Sequence, residues 1–326
     1  MLERRAHEAP SPEWSRRDVW IRKLLYPGHT LPTAAAPAIV AAGLALHDGV
    51  FRALPACLAL LAGWLIQLGG VLVDNRQNLI HQPEDREHPE LVWALKTGLV
   101  TLPGVSRAIF ACYAAALAAG AYLVNAAGLA VLVIGLLSMG ASWAYSAGPY
   151  PAGRKGLADP LFFVFFGLVS VAGVYYVQAA PAHGASLSSW LVPEALPLPA
   201  FALGIPIGAL TTNILIVDDI RDREFDAVKG KRTIAVRAGV RWSRAEYAAL
   251  LGLAYLSPIG FWLGLGFSAW VLLPLLTLPA AVSTARDVFA LEEYEDLLPV
   301  TPNAARLLLG YAALLALGAA VRAGRL

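Results

Sequence analysis

Charge is what this chain has little of. Lys, Arg, Asp and Glu together make up 15% of its 326 residues, against roughly 25% in a soluble globular domain. With 58% hydrophobic residues and a mean hydropathy of +0.60, that shortage excludes an ordinary water-soluble domain and indicates a multispanning membrane protein. Cysteine is almost missing as well. Cys57 and Cys112 both sit in apolar runs, which excludes a disulfide framework and a thiolate metal site. No short basic region followed by an apolar core and a cleavage site opens the chain, so no secretory signal peptide is expected.

What is abundant is apolar sequence in membrane-length pieces. Nine stretches, near 30–47, 53–73, 108–124, 127–146, 161–179, 197–217, 246–263, 267–285 and 304–321, each approach the roughly 17 to 25 residues that a hydrocarbon core requires. The third and fourth are separated only around Asn125, and the seventh and eighth by Gly264, Leu265 and Gly266. Both pairs predict tight helical hairpins, and the fold class expected is all-α. With the N-terminus placed in the cytoplasm, every Lys and Arg except Arg52, Arg322 and Arg325 falls on the cytoplasmic side, a bias that fixes orientation. Residues 1–28 then form a basic cytoplasmic segment, and 29–326 one intramembrane domain. Within the segment, Trp14, Trp20, Ile21 and Leu24 suit either an amphipathic interfacial helix over Trp14 to Leu25 or a partly ordered tail.

The richest stretch runs from Asp218 to Arg237 and reads D-D-I-R-D-R-E-F-D-A-V-K-G-K-R-T-I-A-V-R. Asp218, Asp222 and Asp226 recur every fourth residue, so a helix continuing from Ile214 to Phe225 raises three carboxylates along one face. Like charges at that spacing repel and call for a cation; oxygen-only ligands favour Mg²⁺ or Mn²⁺. Lys and Arg residues crowd the chain from Arg221 to Arg244, which suits a phosphate-bearing substrate bound through metal and cations jointly.

A second polar segment follows the second apolar stretch. Asp74 and Asn78 share a helical face with Asn75 beside them, and Asp85 and Arg86 follow Pro83. Asp74, Asn78, Asp85, Asp218, Asp222 and Asp226 together could surround a cavity opening to the cytoplasm, and ionisable groups near membrane depth mark functional sites. Between the fourth and fifth stretches, Gly148, Pro149, Pro151, Gly153 and Gly156 force turns that hold Arg154 and Lys155 at the interface. Those two cations either contact a diphosphate or carboxylate, or simply mark the positive-inside face. Tyr145, Tyr150, Tyr175 and Tyr176 either line a cavity or form interfacial belts. His29 reads as an interfacial histidine. Asn213, one turn before Asp218 in an apolar run, needs a partner inside the bundle, and could orient the first metal ligand. Glu292, Glu293, Glu295 and Asp296 read as a solvated loop.

From His29 to Ala319 the chain resembles the UbiA superfamily of intramembrane aromatic prenyltransferases, and within it the bacterial dihydroxynaphthoate branch of menaquinone synthesis. The resemblance rests on I-P-I-G-A-L-T-T-N-I-L-I-V-D-D-I-R-D with K-G-K-R-T-I-A-V-R-A-G, on G-P-Y-P-A-G-R-K-G-L-A-D with F-F-V-F-F-G and V-Y-Y-V-Q, and on H-T-L-P-T-A-A-A-P. It implies nine transmembrane helices around a central cavity, with two acidic motifs holding Mg²⁺ and an isoprenyl diphosphate. On this chain it assigns metal ligation to Asp74, Asn78, Asp85, Asp218, Asp222 and Asp226. Diphosphate contacts go to Arg154, Arg221, Lys231 and Arg232, and Asn213, Tyr145 and Tyr150 go to the substrate pocket. Asp222 and Lys155 become the catalytic candidates, Lys155 orienting the acceptor's carboxylate or assisting loss of its hydroxyl proton. Two departures stand out. The branch usually carries an Asn pair where this chain has Asp218 and Asp219, and the superfamily's first motif begins Asn-Asp, with a further Asp three residues on, where this chain has Asp74, Asn75 and Asn78.

The expected activity is transfer of a polyprenyl group from its diphosphate to 1,4-dihydroxy-2-naphthoate with loss of CO₂, giving demethylmenaquinone. The expected partners are those two substrates and the bilayer of a bacterial inner membrane, with no nucleic acid. Alternatives are another acceptor, namely 4-hydroxybenzoate, homogentisate or a tetrapyrrole, or a transporter. A transporter would carry polar groups at mid-membrane or interrupted helices in matching halves, whereas here they gather on one face.

Overall fold

The computed structural model describes residues 15–25, 27–81 and 89–322. Among them nine helical spans are long and apolar enough to cross a membrane: α1 (Thr30–Asp48), α2 (Ala53–His81), α3 (Leu102–Ala127), α4 (Leu129–Ser146), α5 (Ala158–His183), α6 (Leu198–Arg221), α7 (Val240–Gly264), α8 (Ala269–Ala290) and α9 (Tyr294–Ala320). The described residues contain no strand, so the architecture is the all-α, multispanning one that the apolar runs predict. In hydrocarbon only a helix satisfies all its backbone groups within one segment.

Three spans differ from a plain reading of the apolar runs. α2 does not stop where hydrophobicity fades near residue 73 but continues to His81, because no Gly or Pro interrupts Val73 to Gln82. Asp74, Asn75 and Asn78 therefore ride on the last turns of a spanning helix. α5 is π-helical over Phe163–Val169, beside its contact with α6. There the two backbones nearly touch: a β-carbon on Gly208 would lie 2.5 Å from the Phe163 carbonyl oxygen, and one on Gly167 would lie 2.6 Å from the Gly204 carbonyl. Ser170 Oγ donates to Phe165 O at 2.6 Å, serving a carbonyl within the widened turns. α8 opens as a 3₁₀ segment over Ala269–Thr277 that contains Pro274, whose ring and missing N–H break regular α-helical bonding.

α1 packs along α9 and α5, α2 along α3, and α6 against α5, α7 and α9. α6 is the most enclosed span, and its run from Ile207 to Val217 is buried throughout. The main core joins α1, α5, α6 and α9 through Leu44, Tyr176, Ile207, Leu308 and Tyr311. Large apolar side chains such as Phe110, Leu137 and Leu263 point outward, as suits a lipid-facing surface.

Contacts at the helix ends show that successive spans alternate in direction. At one end Arg322 Nε donates to His47 O at 2.6 Å, and Leu129 N donates to Ser189 O at 2.8 Å. At the other, Arg221 meets Thr301 and Ser146 meets Asp74. The acidic residues of α2 and α6 thus share one end of the bundle. The N-terminal segment is helical there too. Ser15 and Asp18 cap it reciprocally, and Val19 and Leu24 bury completely against Leu72, Leu79, Leu91 and Val105.

Candidate active site

A cavity of about 1130 Å³ reaches from that end into the bundle. Its walls are apolar, with Ile66, Val131, Phe162, Phe166 and Val174 among them, while its mouth collects Asp74, Asp218, Asp219, Asp222 and Asp226 with Lys23, Arg221 and Lys231. α2 supplies one acidic side and the end of α6 the other. Glu90, from a short helix over Pro89–Lys96, also reaches the mouth.

The α6 side departs from a continuous helix. The helix ends at Arg221; Asp222 takes φ −91° and ψ 5°, and a separate turn follows over Arg223–Val228. Backbone bonds nonetheless carry the four-residue register across the break, with Asp222 N donating to Asp218 O at 2.8 Å and Asp226 N to Asp222 O at 2.9 Å. The carboxylates keep their common face, and the chain's own cations meet their repulsion. Arg221 grips Asp222 with two bonds, Nε to Oδ1 at 2.7 Å and Nη2 to Oδ2 at 2.6 Å, and reaches Asp218 Oδ1 with Nη1 at 2.6 Å. Thr301 of α9 donates to the same Asp218 oxygen at 2.7 Å. Lys231 Nζ lies 2.7 Å from Asp226 Oδ1, on a side chain that is 1% exposed. The fork of a guanidinium suits such bidentate clamping. Asp219 makes no hydrogen bond or ion pair among the described residues, though it lines the cavity.

α2 itself contributes one acid to the mouth. Asp74 accepts from Ser146 Oγ at 2.6 Å and from Asn78 Nδ2 at 3.2 Å. Asn75 is turned to the N-terminal segment, its Nδ2 donating to Leu24 O at 2.9 Å. Deeper in the cavity, Gln67 Nε2 donates to Thr33 Oγ1 at 2.7 Å, which gives the apolar walls a polar spot.

Of the residues expected from sequence, the structure brings Asp74, Asn78, Tyr145, Asp218, Arg221, Asp222, Asp226 and Lys231 to one cavity. Asp85 lies outside the described residues. Five others do not line the cavity. Asn213 is buried, and its amide donates to Tyr247 O at 3.2 Å, so its partner is the backbone of α7 rather than a metal ligand. Lys155 sits 5.2 Å from the ring centre of Tyr150, which is 62% exposed. These two face away because the 3₁₀ turn Ala152–Lys155 is pinned through its backbone: Arg232 N donates to Arg154 O at 3.0 Å, and a β-carbon on Gly156 would lie 2.5 Å from Arg232 O. Arg154 and Arg232 thus hold two loops together rather than lining the mouth. Lys23, Glu90 and Asp219 are lining residues that the sequence pattern did not single out. Asp219 carried a signal in its departure from the usual Asn pair, whereas Glu90 carried none.

An all-α membrane bundle with an acidic and basic mouth on an apolar cavity defines a class: an intramembrane enzyme for an anionic, lipid-tailed substrate. The UbiA prenyltransferase family profile matches residues 34–301, and the chain belongs to that family. A 1,4-dihydroxy-2-naphthoate octaprenyltransferase of Escherichia coli (strain K12) is 32% identical over 280 residues, spanning 84% of this chain and 86% of that protein. The protein of the same description from Mycobacterium tuberculosis is 29% identical over 300 residues, spanning 91% and 95%. Among solved structures, the apo form of a UbiA homolog from Aeropyrum pernix K1 superposes with a TM-score of 0.67 over 90% of this chain and 98% of that one, at 17% identity. A UbiA homolog from Archaeoglobus fulgidus bound to DMAPP and Mg²⁺ gives 0.56 over the same shares, also at 17%. These two share the fold.

Proposed function

We propose that the chain transfers a polyprenyl group from polyprenyl diphosphate to 1,4-dihydroxy-2-naphthoate with loss of the acceptor's carboxylate as CO₂. The product is the reduced form of demethylmenaquinone. The observation that carries this reading is an apolar cavity with a charged mouth, in a chain that aligns along most of its length with relatives of that description.

Mg²⁺ fits the mouth as a guest shared with the diphosphate. Among the described residues no three acid, His or Cys side chains are placed to enclose a metal by themselves. Mg²⁺, however, is commonly held by one or two carboxylates plus substrate phosphates, and Asp219, which makes no hydrogen bond or ion pair among the described residues and lines the cavity, offers such a carboxylate. Asp219, Asp226, Asp222 and Asp218 from one side and Asp74 from the other would hold it, and it would neutralise charge developing on the leaving diphosphate.

The chain's own groups do the rest. Arg221 and Lys231 place positive charge at the mouth, where the departing oxygens gather negative charge, and in a site shielded from water such preorganised charges are strong. Arg221 is held over the Tyr294 ring, 5.7 Å from its centre, and by Thr301, so it needs no reorganisation. The walls formed by Phe162, Phe166 and Val174 exclude water from the allylic cation as the C–O bond breaks, and aromatic faces stabilise positive charge. Gln67 and Thr33 offer the acceptor a polar contact below the mouth. The new C–C bond forms at the ring carbon that carries the carboxylate.

The test is purified protein in nanodiscs with Mg²⁺, a polyprenyl diphosphate and either 1,4-dihydroxy-2-naphthoate or 4-hydroxybenzoate, with mass detection of products. Prenylated naphthoquinol with matching CO₂ supports the reading; turnover of 4-hydroxybenzoate alone replaces the acceptor and keeps the chemistry. The charged mouth is assigned to the cytoplasmic side of a bacterial inner membrane by the distribution of Lys and Arg.

A further inference from the structure

We propose that the segment Val19–Leu25 is a wall of the substrate site, that its Lys23 binds the anionic group of a substrate, and that the exchanged order of acid and amide at Asp74 and Asn75 serves to hold that segment in place. The inference rests on the prenyl-transfer reading above and adds a residue to it.

Asn75 is 8% exposed, and its Nδ2 donates to the backbone carbonyl of Leu24 at 2.9 Å. An ionised carboxylate has no proton to give and would set its own negative oxygen against that carbonyl. The tether therefore requires an amide at the position where the family's first motif usually has its acid. The acid stands instead at Asp74, one residue earlier, where Ser146 and Asn78 donate to it. The swap at 74 and 75 keeps one acid in that pair and gives the N-terminal segment an anchor, while the motif's further acid is here Asn78, which donates to Asp74.

That anchor matters because of what lies beside it. Leu24 and Val19 are fully buried on α2 and on the Pro89–Lys96 helix, which leaves Lys23 turned to the cavity with Asn75, Asn78 and Glu90. Its ammonium is 2.9 Å from Glu90 Oε1, with the two side chains 30% and 25% exposed. The other cations of the mouth, Arg221 and Lys231, stand on the α6 side and are clamped by Asp218, Asp222 and Asp226. Lys23 brings positive charge to the α2 side, where Asp74 and Glu90 are the acids that line the mouth. A phosphate or carboxylate oxygen entering there can take Glu90's place on Lys23, so that the ammonium keeps a charge-assisted partner when the substrate binds. The ligand class is thus an oxyanion, either the diphosphate of the prenyl donor or the carboxylate of the aromatic acceptor.

Calorimetry on the full chain in nanodiscs with Mg²⁺ separates these, using inorganic pyrophosphate and 1,4-dihydroxy-2-naphthoate as separate probes. Lys23→Ala is expected to weaken one of the two by about tenfold, the loss of a charge-assisted bond, and the probe affected identifies the oxyanion. Lys23→Arg is expected to retain most of the affinity. Asn75→Leu removes the donor without adding charge; it is expected to reproduce the loss with Lys23 untouched and to speed tryptic cleavage after Arg22. The double variant is expected to lose no more than Lys23→Ala alone, because both changes remove one contact. Unchanged affinity for both probes in Lys23→Ala, or no binding of either to the unaltered protein, overturns the role of Lys23. Losses that multiply in the double variant overturn the tether. Naphthoate turnover with unchanged affinities in Lys23→Ala sinks this inference alone, whereas a Lys23-dependent pyrophosphate site without naphthoate turnover sinks the assigned reaction alone.

Discussion

Arg221 shows how the mouth is built residue by residue. One guanidinium joins Asp218 and Asp222 on its own side and Thr301 on α9, so each carboxylate is positioned by a neighbour rather than by its rotamer alone. Asp222→Asn and Asp218→Asn are each expected to lower turnover by about a hundredfold or more while the protein stays folded, as for loss of electrostatic transition-state stabilisation. Purified variants assayed under saturating donor check this, and near-normal rates would remove the residue from the site. Lys155→Ala is expected to change turnover by less than about threefold, as for a surface substitution, since Lys155 stacks on the exposed Tyr150 outside the cavity. The acids were legible in the sequence because charges are rare in so apolar a chain and these recur at helical spacing. Their partners were not. The Lys23 and Glu90 pair is separated by 67 residues, and the direction in which Arg154 and Lys155 point is set by a backbone bond to Arg232 that no local pattern encodes.

At the scale of elements, α5 and α6 meet where Gly167, Gly204 and Gly208 let their backbones approach, and the π-helical turns of α5 lie at that contact. In a membrane, helices gain little from apolar burial against one another and depend on close packing. Gly208→Leu would force the pair apart at the Phe163 carbonyl and is expected to destabilise by about 1–3 kcal/mol or more, the usual cost of overpacking. Thermal unfolding in detergent should register it, with Gly120→Ala as a control, because nothing lies within 4 Å of a β-carbon there. The spans themselves were readable from length and apolarity. Their irregularities were not, since the π segment of α5 and the break at Asp222 answer to neighbours, and the polar extension of α2 to His81 is held by Ser106, Ser146 and Leu24 as much as by helix propensity.

For the molecule as a whole, the alternation of ends separates chemistry from connection. Every group of the charged mouth lies at one end, while the α1–α2, α3–α4, α5–α6 and α7–α8 connections lie at the other. With Cys57 and Cys112 replaced, a membrane-impermeant maleimide on intact cells is expected to label Gly184→Cys from outside and Lys229→Cys only after lysis. The reverse pattern would invert the assigned orientation. Metal removal belongs to the same scale, because the carboxylates at the mouth outnumber the cations there. Chelation is expected to abolish turnover, with recovery on adding Mg²⁺ or Mn²⁺ but not Na⁺, read by product formation against metal concentration.

The contact between Arg322 and the His47 carbonyl puts the last described residue at the end remote from Asp74 and Asp218. It follows that an affinity handle joined directly after Arg322 leaves the mouth unencumbered. One joined directly ahead of Ser15 would load a docked segment held by the Asn75 amide, the Lys23–Glu90 pair and a small apolar patch. Preparations differing only in which of these two positions carries the handle should therefore differ in apparent substrate affinity, a control to run before any kinetic constants are compared.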